Sequence, residues 1–373
     1  MNRVKVLFVV ESLSSGGAEK QLFLLLSNIN LSKFEPFLIT WSEYNFYDEN
    51  LLPGVKWINL PRSGKLDLKM ILKGIALVKK EKIQIVQGFL DSGNLYATLV
   101  SIFTNVILIC SERSSFRKLS WIRNLHKLIS HKLANLTITN SVAGFDYLLS
   151  LGVSKNKIKL IRNGFELEKY NNLTNGINKN TFRSTLDLPK DKFIILNIGR
   201  FVRSKNQKLI LDAASNLRNK NDILFLFIGD ISNEYFREFT NLVENSNLRE
   251  QIMVIKQNKK ISEYYIASDL MVFPSLLEGS PNVPIEALAH GMKIISTQVG
   301  DLNYYLPHFE FSLISGTDSI ELTNLLENEI KLFQSTIFYN NAKENINKLY
   351  ELNSDVTDMV KNYEYVYTKI LIK

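Results

Sequence analysis

Short apolar runs recur along almost the whole chain, and longer segments with apolar residues three and four apart separate most of them. In the first half the runs are VKVLFVV, PFLIT, VKWINL, IQIVQG, VILIC and LTITN; later come FIILNIGR, ILFLFIGD, QIMVIKQ, LMVFPS and KIISTQVGD. Near-continuous apolar runs suit strands buried on both faces, and their alternation with helical stretches such as AEKQLFLLLSNI and DLKMILKGIALVKK is the pattern of a parallel sheet layered by helices. A chain of 373 residues exceeds one ordinary core, so two domains of about 150 to 180 residues each are expected.

The alternation lapses in NGFELEKYNNLTNGINKNTF, a stretch rich in Asn, Gly and Lys that reads as a linker. The expected division is therefore a Rossmann-like domain over residues 1–165, a linker over 166–191 and a second Rossmann-like domain over 192–353. A final amphipathic helix over 354–373 would open on Ser354 as N-cap and carry Met359, Tyr363, Val366 and Ile370 on one stripe. The fold class is α/β, with two doubly wound domains facing across a cleft. Ligands of such sheets bind beyond the carboxyl ends of the strands, so function is sought in the loops there.

Hydrophobic content of 45% with 11% aromatics is ample for burial and argues against disorder. The lone Cys110 excludes an intrachain disulfide framework and fits a reducing compartment. The apolar run near the start, Val6 to Val10, is too short for a secretory signal. The uncharged stretch from Ser92 to Ser111 is broken by Asn94, Thr98, Ser101, Thr104 and Asn105, which suits a helix and a strand better than a membrane span. These readings place the chain in the cytoplasm. A net charge of +8 points to an anionic partner, whether nucleic acid, lipid headgroups or a phosphorylated small molecule.

Three loops bear on that choice. SLSSGGAE follows the first strand and opens a helix, so Gly16 and Gly17 let an anion approach backbone amides at the helix's positive end; a plain strand–helix turn fits as well. It is not a dinucleotide fingerprint. NIGRFVRSKNQ places Arg200 and Lys205 after a strand, a planar fork and a compact charge suited to a diphosphate, or to solvent. PSLLEGSPNVPIEALAHGM sets Glu278 before a tight loop and Glu286 just inside the next helix. Glu286, close behind Pro284, either caps that helix or accepts hydrogen bonds from ribose hydroxyls. Glu278, with the amides of Gly279, Ser280 and Asn282 nearby, is placed to hold a sugar ring.

Residues 113–133, RSSFRKLSWIRNLHKLISHKL, hold six Lys or Arg, two His and no acid. Trp121, Ile122, Leu125, Leu128 and Ile129 fall at helical spacing. The helix they form can lie on an anionic bilayer, or pack its apolar side on the sheet with its cations in water. No nucleic-acid module is present in the sequence, which weighs against nucleic acid as the partner.

Taken together, EGSPNVPIEALAHGM with KIIST, GGAEKQL near the start, GR and KN at Gly199, Arg200, Lys205 and Asn206, NSVAGFDYLLSLGV leading to KIKLIRNGFE, ASDLMVFPS and the tyrosine-rich end resemble the retaining glycosyltransferases of family 4. The resemblance spans essentially the whole chain and implies the GT-B fold. It also implies a nucleotide-diphosphate sugar donor, held mainly by the second domain through Gly279, Ser280, Asn282 and Val283, with Glu278 on the donor sugar and Glu286 on the ribose. Arg200 and Lys205 would hold the diphosphate, joined by the Gly16–Gly17 loop, and the last helix would cross back onto the first domain. Configuration at the anomeric carbon would be retained without an enzymic nucleophile, unlike a glycosidase with two flanking carboxylates.

One departure stands out. Asp91 and Ser92 lie where many relatives carry a histidine, so Asp91 is a candidate for acceptor or sugar contact, or else caps the next helix. No Asp-x-Asp occurs, so turnover is expected to need no metal or other cofactor. With the basic stretch on a membrane, the acceptor would be a lipid-linked saccharide of bacterial surface-polysaccharide or lipopolysaccharide synthesis. Two other functions stay open: a nucleotide-sugar epimerase of related fold, and a non-catalytic nucleotide-sugar binding subunit.

Overall fold

A computed structural model describes residues 3–42, 44–47, 49–62, 64, 67–113, 121–174, 178–217, 221–335 and 341–372. The chain divides into two compact units. Unit 1 runs to Phe165 and takes up the chain again from Asn353, and unit 2 is Glu166–Leu352.

In unit 1 the strands are β1 (Val4–Val9), β2 (Phe34–Thr40), β3 (Lys56–Asn59), β4 (Ile85–Phe89), β5 (Ile107–Glu112), β6 (Leu136–Thr139) and β7 (Ile158–Leu160). They form one parallel sheet in the order β3-β2-β1-β4-β5-β6-β7. Successive residues of β1 serve opposite faces: Val6 and Phe8 join one apolar cluster, Leu7 and Val9 another. Burial on both sides is why the run lacks polar alternation. The helix Val356–Ile370 returns to this unit and seats Met359, Tyr363, Val366 and Tyr367 in the first of those clusters. Its N-cap is Asp355, whose side chain accepts from Thr357 N at 2.8 Å, rather than Ser354. The Ser354 carbonyl instead accepts from Phe165 N at 2.9 Å, tying the returning chain to the end of the first segment.

Unit 2 holds β8 (Phe193–Ile198), β9 (Ile223–Gly229), β10 (Ile252–Lys256), β11 (Leu270–Phe273), β12 (Lys293–Thr297) and β13 (Ser312–Ile314), parallel in the order β10-β9-β8-β11-β12-β13. The stretch read as a linker folds instead into helices Leu167–Thr174 and Lys179–Thr185 of this unit. Its anchor is Arg183, buried, with Nη2 2.6 Å from Asp269 Oδ2, while Lys179 Nζ lies 2.6 Å from the other oxygen. Asp269 also accepts from Ile194 N at 2.7 Å, so one buried carboxylate pins these residues to β8. Residues 175–177 of the stretch lie outside the described residues.

Both sheets reverse their winding at one place, between β1 and β4 in unit 1 and between β8 and β11 in unit 2. Loops at the carboxyl ends of those four strands are where a doubly wound sheet opens to a ligand.

Candidate functional site

In unit 2, the loop after β8 carries Arg200 and Lys205, and the loop after β11 carries Glu278. The winding reversal therefore brings together residues more than seventy positions apart, and Lys205 Nζ lies 2.6 Å from Glu278 Oε1. Lys205 ends a single 3-10 turn, and Asn206 follows in the left-handed region at φ 55°. Asn206 Nδ2 then donates to Gly316 O at 2.7 Å, and Leu276 N to Ser204 O at 2.8 Å, so the two loops are bonded to each other. The ammonium also stands 5.0 Å from the centre of the Phe273 ring. Arg200 is exposed, and among the described residues its guanidinium has no ion-pair partner.

The Glu278 loop is fixed from behind. Gly300, at φ +55°, approaches so closely that a Cβ there would stand 2.3 Å from Gly279 O and 2.6 Å from Glu278 O. Asp301 N donates to Gly279 O at 2.7 Å. Only glycine satisfies both the dihedral and the contact. After it, Gly279 is buried, Ser280 and Val283 are half-buried, and Asn282 opens the helix Asn282–Ala289 with Pro281 at its N-cap.

Glu286 lies one turn inside that helix, beyond Pro284, and is only 5% exposed. Tyr265 Oη donates to Glu286 Oε2 at 3.1 Å, and the Tyr265 ring stacks on His290 with centroids 4.9 Å apart. His290 Nδ1 lies 2.7 Å from the Glu286 carbonyl oxygen. Burial, and then the Glu286 charge, push the Tyr265 hydroxyl well above its ordinary pKa, so it remains a donor to the carboxylate. This tyrosine lies outside every loop motif of the sequence; only its place on the helix Ile261–Ala267 beneath Glu286 gives it a role.

Gly16, Gly17 and Asp91 lie in unit 1. Gly16 is the N-cap of the helix Gly17–Asn28. The Glu19 carboxylate folds back over it, to 2.3 Å from where a Gly16 Cβ would stand, and accepts from Ser14 Oγ at 2.9 Å. The positive end of that helix is thus already met by an internal anion. Asp91 does not cap: it sits in the first turn of the helix Leu90–Ile102, whose N-cap is Phe89, and pairs with Lys127 at 3.7 Å.

Part of the basic stretch is turned the opposite way from an ordinary amphipathic helix, while His126 and Lys132 stay exposed and Leu128 is half-buried. Residues 114–120 lie outside the described residues; Trp121–Leu133 is helical. Lys127 and His131 are buried, with Lys127 Nζ 2.7 Å and His131 Nε2 3.3 Å from Glu112 Oε2. Burial alone would raise the Glu112 pKa, but the His131 contact and the Lys127 charge outweigh it and hold the carboxyl below its usual value. Burial likewise works against the Lys127 ammonium, and Glu112 and Asp91 overcome it, leaving its pKa raised. Meanwhile Leu125, Ile129 and Leu133, one turn apart in series, are 43%, 42% and 53% exposed. Among the described residues no helix is long and apolar enough to cross a membrane.

Residues 178–356 match the family model for glycosyl transferases group 1. The chain is 26% identical over 294 residues to the capsular polysaccharide biosynthesis glycosyltransferase CapH of Staphylococcus aureus, covering 73% of this chain and 79% of that one. It is also 26% identical over 313 residues to the N-acetylgalactosamine-N,N'-diacetylbacillosaminyl-diphospho-undecaprenol 4-alpha-N-acetylgalactosaminyltransferase of Campylobacter jejuni, covering 77% and 79%. Its fold matches the crystal structure of Anabaena HepE in complex with UDP-glucose, at a TM-score of 0.83 and 18% identity over 98% of this chain and all of that one. The two parallel-sheet units are those of the GT-B class.

Proposed function

We propose, for a chain whose residues 178–356 match the family model for glycosyl transferases group 1, that it is a retaining glycosyltransferase of family 4. It moves a sugar from a nucleotide-diphosphate donor to a hydroxyl of a lipid-linked saccharide in bacterial surface-polysaccharide assembly. The observation that carries this reading is the Lys205–Glu278 pair at the winding reversal of the unit 2 sheet, inside the matched domain.

Each of these side chains satisfies the other. A donor separates them: its diphosphate takes Lys205, joined by the exposed fork of Arg200, and its sugar hydroxyls take the freed Glu278 carboxylate. Gly279 and Ser280 on the same loop, with Asn282 and Val283 at the start of the helix after it, are assigned to the donor, and Glu286, oriented by Tyr265, to the ribose. In transfer, the bond from the anomeric carbon to the diphosphate oxygen breaks with its electron pair leaving on the diphosphate, where the two cations offset the charge. The acceptor oxygen bonds to that carbon from the same face, and its proton passes to the departing phosphate oxygen. The chain's own cations do what a metal does at other diphosphate sites, so no metal is required.

Unit 1 is assigned to the acceptor, with Asp91 as a contact and Gly16–Gly17 as a minor anion contact. The exposed Leu125, Ile129 and Leu133 support a peripheral site of action at the inner face of the plasma membrane. Support for a lipid-linked acceptor comes from the diphospho-undecaprenol named in the Campylobacter relative. Titration with UDP and UDP-sugars tests the donor assignment: the wild type binds, and the Arg200→Ala/Lys205→Ala double variant binds at least tenfold more weakly. Equal affinities would remove the site from this place.

A further inference from the structure

Arg113 follows β5 directly, and because neighbouring strand residues face opposite sides, it points away from the Glu112 cluster. Its Nη1 donates to Asn163 Oδ1 at 3.1 Å, its Nη2 donates to the Tyr363 hydroxyl, and its guanidinium carbon lies 5.1 Å from the Phe89 ring centre. All three neighbours are neutral. Burial raises the Tyr363 pKa even against the pull of Arg113, so the phenol supplies no countercharge. Among the described residues no carboxylate lies within ion-pair distance of Arg113. Its Nε is buried and has no hydrogen-bond partner there.

A second open group converges on the same place. Asn140 Nδ2 donates to Asn163 Oδ1 at 3.1 Å, the same oxygen that receives Arg113, while Asn140 Oδ1 is buried with no partner among the described residues. Asn140 leads into the helix Val142–Ser150, whose N-cap Ser141 accepts from Gly144 N at 3.0 Å. A positive helix end thus adds to a cation that no carboxylate among the described residues balances. Arg113 is half-buried with its Nε covered; a charge drawn partly out of water and orphaned buried polar atoms are costly, and natural chains keep them where a ligand completes them. Were Arg113 merely a tie between β5 and the returning helix, a neutral donor would make the same two bonds without that cost.

We propose that Arg113, with Asn140 and Asn163, binds the phosphate of a phosphorylated saccharide in unit 1. Phosphate oxygens take the unpaired Nε of the guanidinium, and a sugar hydroxyl donates to Asn140 Oδ1; both atoms are covered, so the ligand enters by displacing side chains above them. This deepens the transferase reading and rests on it for the substrate class. Two sources offer such a group: the phosphate of the acceptor and the diphosphate of the donor.

The test is calorimetric titration of the full chain with inorganic pyrophosphate in the Arg200→Ala/Lys205→Ala background, where the unit 2 cations are gone. Pyrophosphate binding is expected to persist there and to weaken at least tenfold when Arg113→Gln is added. Arg113→Lys, which keeps the charge and loses the fork, is expected to fall in between. Circular dichroism and melting confirm that each variant is folded, and Asn140→Ala, which leaves the Tyr363 contact alone, reports on the same site if Arg113→Gln does not fold. Saturating the wild type with UDP then separates the sources: pyrophosphate still bound through Arg113 marks an acceptor phosphate, and its displacement marks the donor's. Pyrophosphate affinity unchanged by both Arg113→Lys and Asn140→Ala overturns the proposal. Because the titration needs no turnover, that result would leave the transferase reading standing, and a chain inactive in transfer that still binds pyrophosphate through Arg113 would sink only the latter.

Discussion

Lys205 Nζ and Glu278 Oε1 stand 2.6 Å apart, on loops that leave adjacent strands of one parallel sheet. In the proposed reading the pair offers a cation to the diphosphate and an anion to the sugar of one donor. Lys205→Ala removes charge-assisted bonds of about 1.5–3 kcal/mol, so kcat/KM is expected to drop about tenfold to a hundredfold. Glu278→Gln keeps the shape and should lower kcat with folding intact. Steady-state kinetics on the two variants checks both, and normal rates in either would detach the pair from the reaction.

Gly300 is expected to be as sensitive as the residues it supports. Gly300→Ala meets a left-handed φ and two backbone oxygens at once, a strain of about 1–3 kcal/mol that the Glu278 loop must absorb by shifting. Melting should show that modest loss, while donor affinity falls more than stability does. A variant with wild-type affinity would show that the loop position is unimportant.

The buried cluster of Glu112, Lys127 and His131 gives a stability prediction with a defined sign. Lys127→Met strands the Glu112 charge and should cost about 3–5 kcal/mol, and adding Glu112→Gln should restore much of it. The Glu112 pKa is lower in the folded chain than in the unfolded one. Its contribution is therefore complete above the unfolded carboxyl value and is lost as pH falls through the folded one. The raised Lys127 pKa works in the alkaline direction, present below the unfolded lysine value and lost as pH rises through the folded one. Chemical denaturation from neutral to acid pH should show a steeper loss in the wild type than in the double variant. Parallel curves would mean the cluster carries no linkage.

Much of the fold was legible because strands buried on both faces are apolar at every position. The short edge strands β7 and β13 were not, since three residues carry no period. The Asn-rich segment misled for a different reason: its second helix, Lys179–Thr185, is held by Asp269, some ninety positions away, and local composition cannot display a partner at that distance. The candidate residues were readable as loops after strands, Lys205 and Glu278 each by itself, but their direct pairing was not. Tyr265 and Arg113 were not readable as site residues, because their meaning comes from what faces them. In the basic stretch, Lys127 and His131 looked solvated until Glu112 on β5 placed them inside.

That inversion bears on the membrane. Replacing Leu125, Ile129 and Leu133 together with Ser removes side chains already in part exposed, so stability should change little. Flotation with anionic liposomes should fall markedly. Equal flotation of wild type and variant would assign the exposed stripe to some other purpose.

If Arg200 and Lys205 supply the positive charge, as proposed, chelation should leave the reaction untouched. Rates with and without EDTA are expected to agree, and a loss restored by added magnesium would show that the two side chains are insufficient.

The most direct measurement is nucleoside diphosphate release from a panel of nucleotide sugars, with and without lipid-linked saccharide acceptors. Release is expected to require an acceptor and to match glycosylated product mole for mole, with the anomeric configuration of the donor preserved. Isomerised donor appearing without acceptor, or tight binding with no release under any pairing, would contradict the transferase reading.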